Sequence, residues 1–344
     1  MPKMSWEDAV RWLREQKDQQ ELVRACFFDD PLLDAARRFH ASEEWKAVQQ
    51  ILPQMAGKAL DVGAGRGIAS FALAEDGWTV TALEPDPSNL VGAGAIAALA
   101  RESGHLIHIV QEWGEKLPFP DASFDVIHAR QVLHHANDLE NFCLELARVL
   151  KPRGLFIATR EHVIDSPDEL EIFRANHDLH RLYGGECAFS LEHYLDAISH
   201  SGMLFVQILA PFSSPINYFP ATNENVLNMA KEAWNWDFPM GKKMMVAQLN
   251  RTASYPGRLY TFVARRPSET SEDAVSVLRS RIVILEAKLD AREVALKKGM
   301  EAMQNRIDKK IAVSDARIER LEANMVVRFS NRLHHFLKRL IKRA

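Results

Sequence analysis

The sequence predicts an α/β protein with a doubly wound, mostly parallel seven-stranded sheet, an N-terminal helical cap and a C-terminal coiled coil. Three observations support this prediction. Short apolar runs alternate with Ala- and Leu-rich helical stretches between residues 58 and 159. A glycine-rich turn joins the first run to its helix, as in sheets that bind ligands beyond the carboxyl ends of their strands. After residue 267 a helical pattern continues without any proline.

We divide the chain into four parts at changes of composition and periodicity. They are an N-terminal helical cap (1–56), the α/β domain (57–266) with an insertion (211–257), a linker and coiled coil (267–327), and a basic amphipathic helix (328–344). We expect strands near residues 58–62, 78–83, 106–110, 124–129, 154–159, 204–209 and 259–264. The aromatic residues of the insertion argue against disorder there.

The N-terminal part is predicted to form helices. Ser5, three residues before Asp8, resembles a capping box, and Ser42 begins a second helical pattern. Such a segment either covers a ligand site or packs against the edge of the sheet, and the pattern leaves both possibilities open.

Charge is distributed unevenly along the chain. The net charge of −3 combines −10 in residues 1–270 with +7 in residues 271–344. The acidic larger part argues against a nucleic-acid substrate. Cys26, Cys143 and Cys187 lack metal or redox spacing, which is typical of reduced thiols in a cytoplasmic protein.

A glycine-rich turn follows the first predicted strand, with Gly63, Gly65 and Gly67 at alternate positions. Glycine lets a ligand approach the backbone N–H groups at the start of a helix. The next apolar run ends at Glu84, about 20 residues after the first glycine, as is typical of a carboxylate that binds ribose hydroxyls. Ile68 replaces the third glycine of a dinucleotide fingerprint, and no P-loop sequence occurs. The alternative is an ordinary strand–turn–helix.

A second group of motifs lies between residues 117 and 162. It contains Leu-Pro-Phe before the fourth strand, Leu-His-His after that strand, and Leu-Lys-Pro-x-Gly before the fifth strand. Together with the glycine turn, these motifs resemble class I S-adenosylmethionine-dependent methyltransferases over residues 57–266. The resemblance implies a Rossmann-like fold, methyltransferase activity and S-adenosylmethionine as cofactor, and it says little about the methyl acceptor.

The resemblance also assigns cofactor-binding residues. The turn that would hold the methionine and ribose end of the cofactor consists of Gly63, Ala64, Gly65 and Gly67. Glu84 is expected to bind the ribose diol, and Asp61 is expected to orient the turn from the end of the first strand.

Two further cofactor contacts depend on alignment with the family. The family often places an acid after the third strand to bind the adenine amino group, but here alignment on Leu-Pro-Phe gives Trp113, with Glu112 beside it. Trp113 either stacks on the adenine or packs within the protein. Arg130, just past the fourth strand, either meets the carboxylate of the cofactor or is a surface arginine.

Histidines are the candidates for the acceptor side, because a hydroxyl acceptor needs a general base. We expect His162, directly after the fifth strand, to be this base, with His180 as the second candidate. Adjacent residues of a helix point in different directions, so one of His134 and His135 is expected to face the site. The remaining acceptor-side candidates are His177, Tyr183 and Glu186.

Two alternatives remain for these histidines. Each of them could be a hydrogen-bonded structural residue instead of a catalytic one. A zinc site formed by His177, His180 and Cys187 would lack a fourth ligand at standard spacing, so we expect no metal.

The C-terminal region shows two patterns. Apolar residues recur at alternating spacings of three and four over residues 275–325, which predicts a homo-oligomer through a coiled coil; the alternative is a single helix lying on the domain. Residues 328–344 combine an apolar stripe with six Lys and Arg and no acid, which predicts binding to an anionic membrane surface. The alternative for this segment is packing on a partner protein.

This layout resembles the chain-terminating methyltransferases of bacterial O-antigen synthesis, in which a coiled coil separates catalysis from the membrane. The likeness implies O-methylation of a glycan or glycolipid at the cytoplasmic membrane face in lipopolysaccharide biosynthesis, with glycan-synthesis machinery as a partner. The alternatives are a small-molecule or lipid-headgroup methyltransferase and a membrane-tethered scaffold with a degenerate fold. The intact glycines and Glu84 argue against the scaffold.

Overall fold

The computed structural model describes residues 4–183, 187–234, 241–252, 257–268 and 273–341; for residues 178, 233–234, 251–252, 273–274 and 315–341 it describes the backbone only. The chain forms two compact units, Met1–Arg292 and Glu293–Ala344. All the strands described below lie in the first unit.

Among the described residues, eight strands form one sheet. They are β1 (Lys58–Val62), β2 (Thr79–Leu83), β3 (Ile107–Val110), β4 (Phe124–Arg130), β5 (Leu150–Ile164), β6 (Phe189–Ser190), β7 (Leu204–Leu209) and β8 (Arg258–Arg265). Their order is β3-β2-β1-β4-β5-β8-β7, and β6 pairs with β5. Only β8 runs antiparallel to its neighbours β5 and β7. The predicted doubly wound, mostly parallel sheet is thereby confirmed, and the two-residue β6 is an eighth strand that the sequence did not predict.

Helices cover both faces of this sheet. The described part of the chain contains the helices α1 (Trp6–Glu15), α2 (Gln20–Ala25), α3 (Leu32–His40), α4 (Glu43–Gln49), α5 (Ile68–Glu75), α6 (Ala93–Ser103), α7 (Leu139–Val149), α8 (Pro167–Asn176), α9 (Asp178–Tyr183), α10 (Leu191–His200), α11 (Pro215–Tyr218), α12 (Asn223–Trp234), α13 (Lys242–Thr252) and α14 (Asp273–Ile341), with 3₁₀ turns at Lys17–Gln19 and Leu133–His135. Because strand residues alternate between faces, Leu60 and Ile127 join the core under α7 and α10, whereas Ala59 and Val126 join the core under α4 and α5.

The N-terminal helices begin at the predicted caps. The Ser5 hydroxyl accepts a hydrogen bond from the Asp8 N–H at 3.1 Å, and the Ser42 hydroxyl accepts one from the Trp45 N–H at 3.2 Å. Helices α3 and α4 pack on one face of the sheet with α5, whereas α1 packs against α9. The cap therefore combines the two alternatives, since its second half covers the sheet and its first half reaches the cavity described below.

Strand β5 is longer than predicted. It continues to Ile164, so His162 lies within the strand and does not follow it. Opposite β8, Ala158 pairs with Phe262 and Glu161 with Tyr260, so β5 contains one extra residue at this point. Arg160 occupies this β-bulge with φ of +59°, and its N–H donates to the Thr261 hydroxyl at 3.3 Å.

The first unit also includes the start of α14. Val283, Ile284 and Ala287 pack against the main hydrophobic core, and the Ser280 hydroxyl accepts a hydrogen bond from the Phe205 N–H at 2.9 Å. The compact unit therefore ends at Arg292, whereas the sequence placed the domain boundary at residue 266. The difference arises because one face of this helix is apolar toward the domain while another carries the coiled-coil pattern.

The second unit continues α14 to Ile341. Up to residue 314 its large apolar side chains, apart from the buried Val294, are exposed, among them Leu296, Met303 and Ile311. The predicted amphipathic stripe of residues 328–344 lies where no side chain is described. Within the described part of the chain, no helix combines the length and the apolar character needed to cross a bilayer.

Candidate functional site

The glycine turn after β1 lies against the segment that follows β4. Gly63 and Gly67 have φ of +59° and +82°, in the left-handed region that glycine adopts without strain. A Cβ atom added to Gly63 would come within 2.6 Å of the Val132 side chain, so the two segments are in close contact. At Gly65 an added Cβ would meet nothing nearer than the Val91 carbonyl oxygen at 3.9 Å, which leaves open space beside the turn.

Glu84 lies directly beneath this turn. One carboxylate oxygen accepts a hydrogen bond from the Gly65 N–H at 2.7 Å, and the other accepts one from the Asp86 N–H at 3.0 Å. Burial raises the pKa of the Glu84 carboxyl to about 7. A buried carboxylate at the end of β2, next to open space at Gly65, matches the residue type and position needed for a ribose diol. These residues therefore fit a nucleoside cofactor.

Asp61 connects three elements around the turn. Its carboxylate accepts a hydrogen bond from the Ser70 hydroxyl of α5 at 2.6 Å and lies 3.1 Å from Nδ1 of His128 on β4. All three side chains are buried. This network fixes the start of α5 relative to β1 and β4, as expected of a residue that orients the turn.

A cavity of about 440 Å³ opens beside the turn. Its volume falls in the range of small-molecule sites. It is bounded by α1 and α2, by the glycine turn, by the ends of β4 and β5, and by α8 and α9. Its aromatic walls include Trp6, Phe27, Phe28 and Phe173, and its polar walls include Asp61, Arg66, Arg130, Arg160, His134, His135, His162, His177 and His180.

The Arg130 side chain is only 14% exposed, which argues against the surface alternative. Its guanidinium forms two hydrogen bonds with the Glu44 carboxylate, at 2.7 and 3.1 Å, and lies 5.4 Å from the centre of the Phe39 ring. Burial opposes ionisation of Glu44, but the charges of Arg130 and Arg160 keep its pKa below the usual value. Arg130 thus joins β4 to α4 at the cavity wall. The sequence led us to expect that this arginine binds the carboxylate of the cofactor.

The two other arginines of the cavity hold loops in place. Arg66 donates to the carbonyl oxygens of Phe27 and Asp29, at 2.9 and 3.0 Å. Arg160 donates to the carbonyl oxygens of Ile216 and Phe219 in the predicted insertion, at 3.0 and 2.9 Å. The sequence did not single out either arginine, although Arg66 lies within the glycine turn itself.

Five histidines meet along one wall of the cavity. The ring centres of His134 and His135 are 4.3 Å apart, and His134 lies 6.4 Å from His162. The ring centres of His177 and His180 are 4.5 Å apart, although His177 is the extended residue that ends α8 and only His180 lies on α9. His134 and His135 both line the cavity, whereas the sequence led us to expect only one of them, because they lie on a tight 3₁₀ turn.

Glu161 is the residue that the sequence reasoning missed. Its side chain is fully buried at 0% exposure. It lies 2.8 Å from Nδ1 of His134 and accepts hydrogen bonds from the N–H groups of His134 and Val132, both at 3.1 Å. The only signal for it was its position beside His162, on the opposite face of an ideal strand.

Two predicted residues, Trp113 and Tyr183, lie apart from the cavity wall. Trp113 is 67% exposed in the loop between β3 and β4 and does not line the cavity. Tyr183 packs edge-on against Trp6, with ring centres 5.3 Å apart. Glu186 lies outside the described residues. Within the part that is described, no group of three or more His, Cys, Asp or Glu is arranged to hold a metal ion.

Comparison with known proteins identifies the central part of the chain. Residues 60–158 match the family model described as "Methyltransferase domain". This match bears out the resemblance to methyltransferases for residues 60–158. The assignment of individual site residues stays a prediction.

Relatives share only this part. A ubiquinone biosynthesis O-methyltransferase of Methylobacterium nodulans is 40% identical over 111 residues, which cover 31% of this chain and 42% of that protein. A sterol 24-C-methyltransferase of Gibberella zeae is 34% identical over 148 residues, which cover 42% of this chain and 39% of that protein. This chain therefore spans less than half the length of either relative. The solved structure of an S-adenosylmethionine-dependent methyltransferase from Mesorhizobium loti matches 65% of this chain and 98% of its own, at 19% identity and a TM-score of 0.45.

Proposed function

We propose that this chain, whose residues 60–158 match a methyltransferase domain, uses S-adenosylmethionine to methylate a hydroxyl oxygen of an acceptor held in the histidine-lined cavity. The observation that supports this proposal is that Gly63 and Gly65, above the buried Glu84, line the same cavity as the five histidines. Cofactor and acceptor can therefore meet without leaving the site.

The chemistry required of the protein is limited. S-adenosylmethionine supplies a methyl group on a sulfonium, whose sulfur leaves as a neutral thioether. The side chains need mainly to hold the acceptor oxygen in line with that methyl group and to take its proton.

We assign to His134 the role of general base, which takes the proton of the acceptor hydroxyl. Because Glu161 accepts from Nδ1, the neutral ring is held with its lone pair on Nε2. The acceptor proton moves to Nε2, the oxygen electron pair forms the bond to the methyl carbon, and the electron pair of the carbon–sulfur bond stays on sulfur. The buried Glu161 carboxylate, 2.8 Å away, then stabilises the imidazolium. Val132 packs on Gly63, and His134 follows Val132 by two residues, so the histidine lies near the glycine turn.

The other histidines have supporting roles in this proposal. His162, the base expected from the sequence, lies with its ring 4.3 Å from that of Phe173, and His180 lies 5.1 Å from the same ring. We propose that both residues, with His135 and His177, hydrogen-bond and orient the acceptor. The order of activity among His134→Ala, His162→Ala and His180→Ala tests this assignment.

Two acceptor classes follow from different observations. The coiled-coil pattern and the basic end of the chain favour a glycan or glycolipid hydroxyl near a membrane. The aromatic walls and the volume of about 440 Å³ favour a single small ring, and one relative is named as a ubiquinone biosynthesis O-methyltransferase. We rank the glycan first because a sugar ring can also stack on Trp6, Phe28 and Phe173.

The experiment has a binding arm and an activity arm. Calorimetry should show S-adenosylmethionine binding to the intact chain and weaker binding to Glu84→Ala; an intact chain that does not bind would refute the proposal and favour a scaffold. Release of S-adenosylhomocysteine is then measured with methyl α-mannopyranoside and with 3,4-dihydroxybenzoate. Turnover of the glycoside supports the glycan reading, and turnover of the phenol alone replaces it with the small-molecule reading.

We also propose that the C-terminal region makes the protein a homo-oligomer and brings it to an anionic membrane. Each basic residue near such a surface contributes roughly 1 kcal/mol, and several tails would bind with avidity. The intact protein should sediment with phosphatidylserine liposomes at low salt and less at high salt. Truncation after Val327 should abolish sedimentation, and sedimentation that persists would assign the contact to another surface.

A further inference from the structure

The first five turns of α14 lie on the catalytic unit and still present an apolar stripe to solvent. One face, with Val283, Ile284, Ala287 and Ala291, packs against the core of the domain. The outward stripe, with side chains 55–65% exposed, consists of Val275, Leu278, Ile282, Leu285 and Leu289. Such a run of five large apolar residues, each more than half exposed, is unusual for a surface helix.

We propose that this stripe, residues 275–289, is the seam of a parallel, in-register two-stranded coiled coil with a second copy of this chain. This deepens the proposed oligomer by naming its stoichiometry, orientation and starting point. The spacing assigns Val275, Ile282 and Leu289 to position a of a heptad, and Leu278 and Leu285 to position d. Two of the three a residues, Val275 and Ile282, are β-branched, and β-branched residues at a with leucine at d favour two strands in parallel.

Charges beside the seam favour the parallel arrangement. Arg281 falls at position g and Glu286 at position e, and both are exposed. In a parallel in-register pair, Arg281 would meet Glu286 of the partner subunit. In an antiparallel pair, g meets g, so Arg281 would face a like charge.

The domain contact leaves this seam accessible. The side chains that face the domain occupy the other heptad positions, and Lys288 is held on that side by Glu192 at 3.2 Å. The helix can therefore lie between its own domain and the partner helix. Dimerisation would begin on the catalytic unit, and truncation after Arg292 would keep this seam.

The first test measures mass by light scattering of the full chain, whose protomer mass is 39.0 kDa. We expect the mass of two chains for the wild type and of one chain for Leu278→Asp/Leu285→Asp. Because both leucines are exposed, the variant should keep its thermal stability and its affinity for S-adenosylmethionine. The matched control is Leu144→Asp on α7, where the leucine is 50% exposed, and it should stay dimeric. A monomeric wild type, a trimeric mass or a dimeric double variant would each overturn the proposal.

The second test measures orientation. Leu278→Cys should form an interchain disulfide on mild oxidation, because position d residues of a parallel in-register pair face each other. The wild type and Leu144→Cys, treated in the same way, should remain uncrosslinked. A dimer in which Leu278→Cys does not crosslink would refute the parallel register. Neither result depends on methyl transfer, so failure here is distinguishable from failure of the proposed function.

Discussion

The cofactor side and the acceptor side of the cavity are built in different ways. The proposed cofactor side comes from β1, its glycine turn and one acid at the end of β2, with Glu84 accepting a hydrogen bond from the Gly65 N–H at 2.7 Å. The acceptor side brings together Trp6, His134, His162 and His180 from four separate elements. A local motif fixes the first side by backbone geometry, whereas the second depends on how distant elements pack.

The largest expected effect is on the acceptor side. His134→Ala should lower turnover by about 10²–10⁴-fold, the usual contribution of a general base, and leave S-adenosylmethionine affinity unchanged. Stopped assays of S-adenosylhomocysteine release measure the first quantity and calorimetry the second. His40→Ala is the matched control, because His40 also lies 2.8 Å from a carboxylate, that of Asp76, outside the cavity. Equal turnover of His134→Ala and wild type would remove His134 from this role.

Substitution of Glu161 tests the same side, because this residue positions the His134 ring. Glu161→Gln should lower turnover and change the His134 tautomer, because one of the two accepting oxygens becomes an NH2 donor that faces the N–H groups of His134 and Val132. Long-range ¹H–¹⁵N spectra of histidine-labelled protein report the tautomer directly. A purely structural role would lower stability without altering this signature, and Glu161→Asp should recover part of the turnover.

The next largest expected effect is on the cofactor side and comes from a substitution in the glycine turn. Gly63→Ala combines a left-handed backbone with a contact of 2.6 Å to Val132, so we expect a loss of about 2–4 kcal/mol in the free energy of unfolding and weaker cofactor binding. Gly104→Ala is the matched control, since Gly104 has φ of +78° and no neighbour within 4 Å. That variant should lose only about 1 kcal/mol. Similar losses in chemical denaturation would contradict the close packing of the turn.

A smaller effect concerns the pH dependence of cofactor binding. The pKa of Glu84 is raised to about 7 by burial, so its carboxylate, the form that accepts ribose hydroxyls, decreases below that pH. Affinity for S-adenosylmethionine should fall about tenfold from pH 8 to pH 6. In Glu84→Gln this pH dependence should be absent. For the free protein the sign is opposite: the raised pKa favours folding at low pH, and this contribution is lost as pH rises through about 7.

The smallest effect tests Trp113. If its exposed ring stacks on the adenine, Trp113→Ala should weaken cofactor binding about fivefold, the lower end for a base–aromatic stack. Calorimetry measures the change, and an affinity equal to wild type would leave the tryptophan as a surface residue. Because Trp113 lies outside the cavity, acceptor turnover at saturating cofactor should not change.

The two sides also differ in how far the sequence predicted them. Gly63, Gly65 and Glu84 could be read from spacing, because a strand, a tight turn and a helix follow each other directly. Glu161 could not be predicted in this way, because its role depends on a β-bulge at Arg160 that no pattern of residues in the sequence indicates. The place of Trp6 in the cavity depends in the same way on the packing of α1 against α9.

The start of α14 was predicted in part. The heptad spacing of Leu278, Ile282 and Leu285 was visible, but the packing of Val283 and Ile284 on the domain was not, because both sets are apolar and interleaved. A periodicity identifies faces of a helix and does not say which partner each face meets. For this reason the domain boundary predicted from the sequence lies before α14, although the start of this helix packs on the domain.

The bulge in β5 decides which residues of this strand face the acceptor side of the cavity. Along an ideal strand, residues with odd and even numbers point to opposite faces, and one inserted residue exchanges the two sets from that point onward. The extra residue at Arg160 therefore decides which of two neighbours, Glu161 or His162, points to which face of the sheet. Two proteins with the same Arg-Glu-His letters but no bulge would exchange the places of acid and imidazole. An alignment of these three residues alone therefore predicts which residues form the site but not the face of the sheet on which each side chain lies.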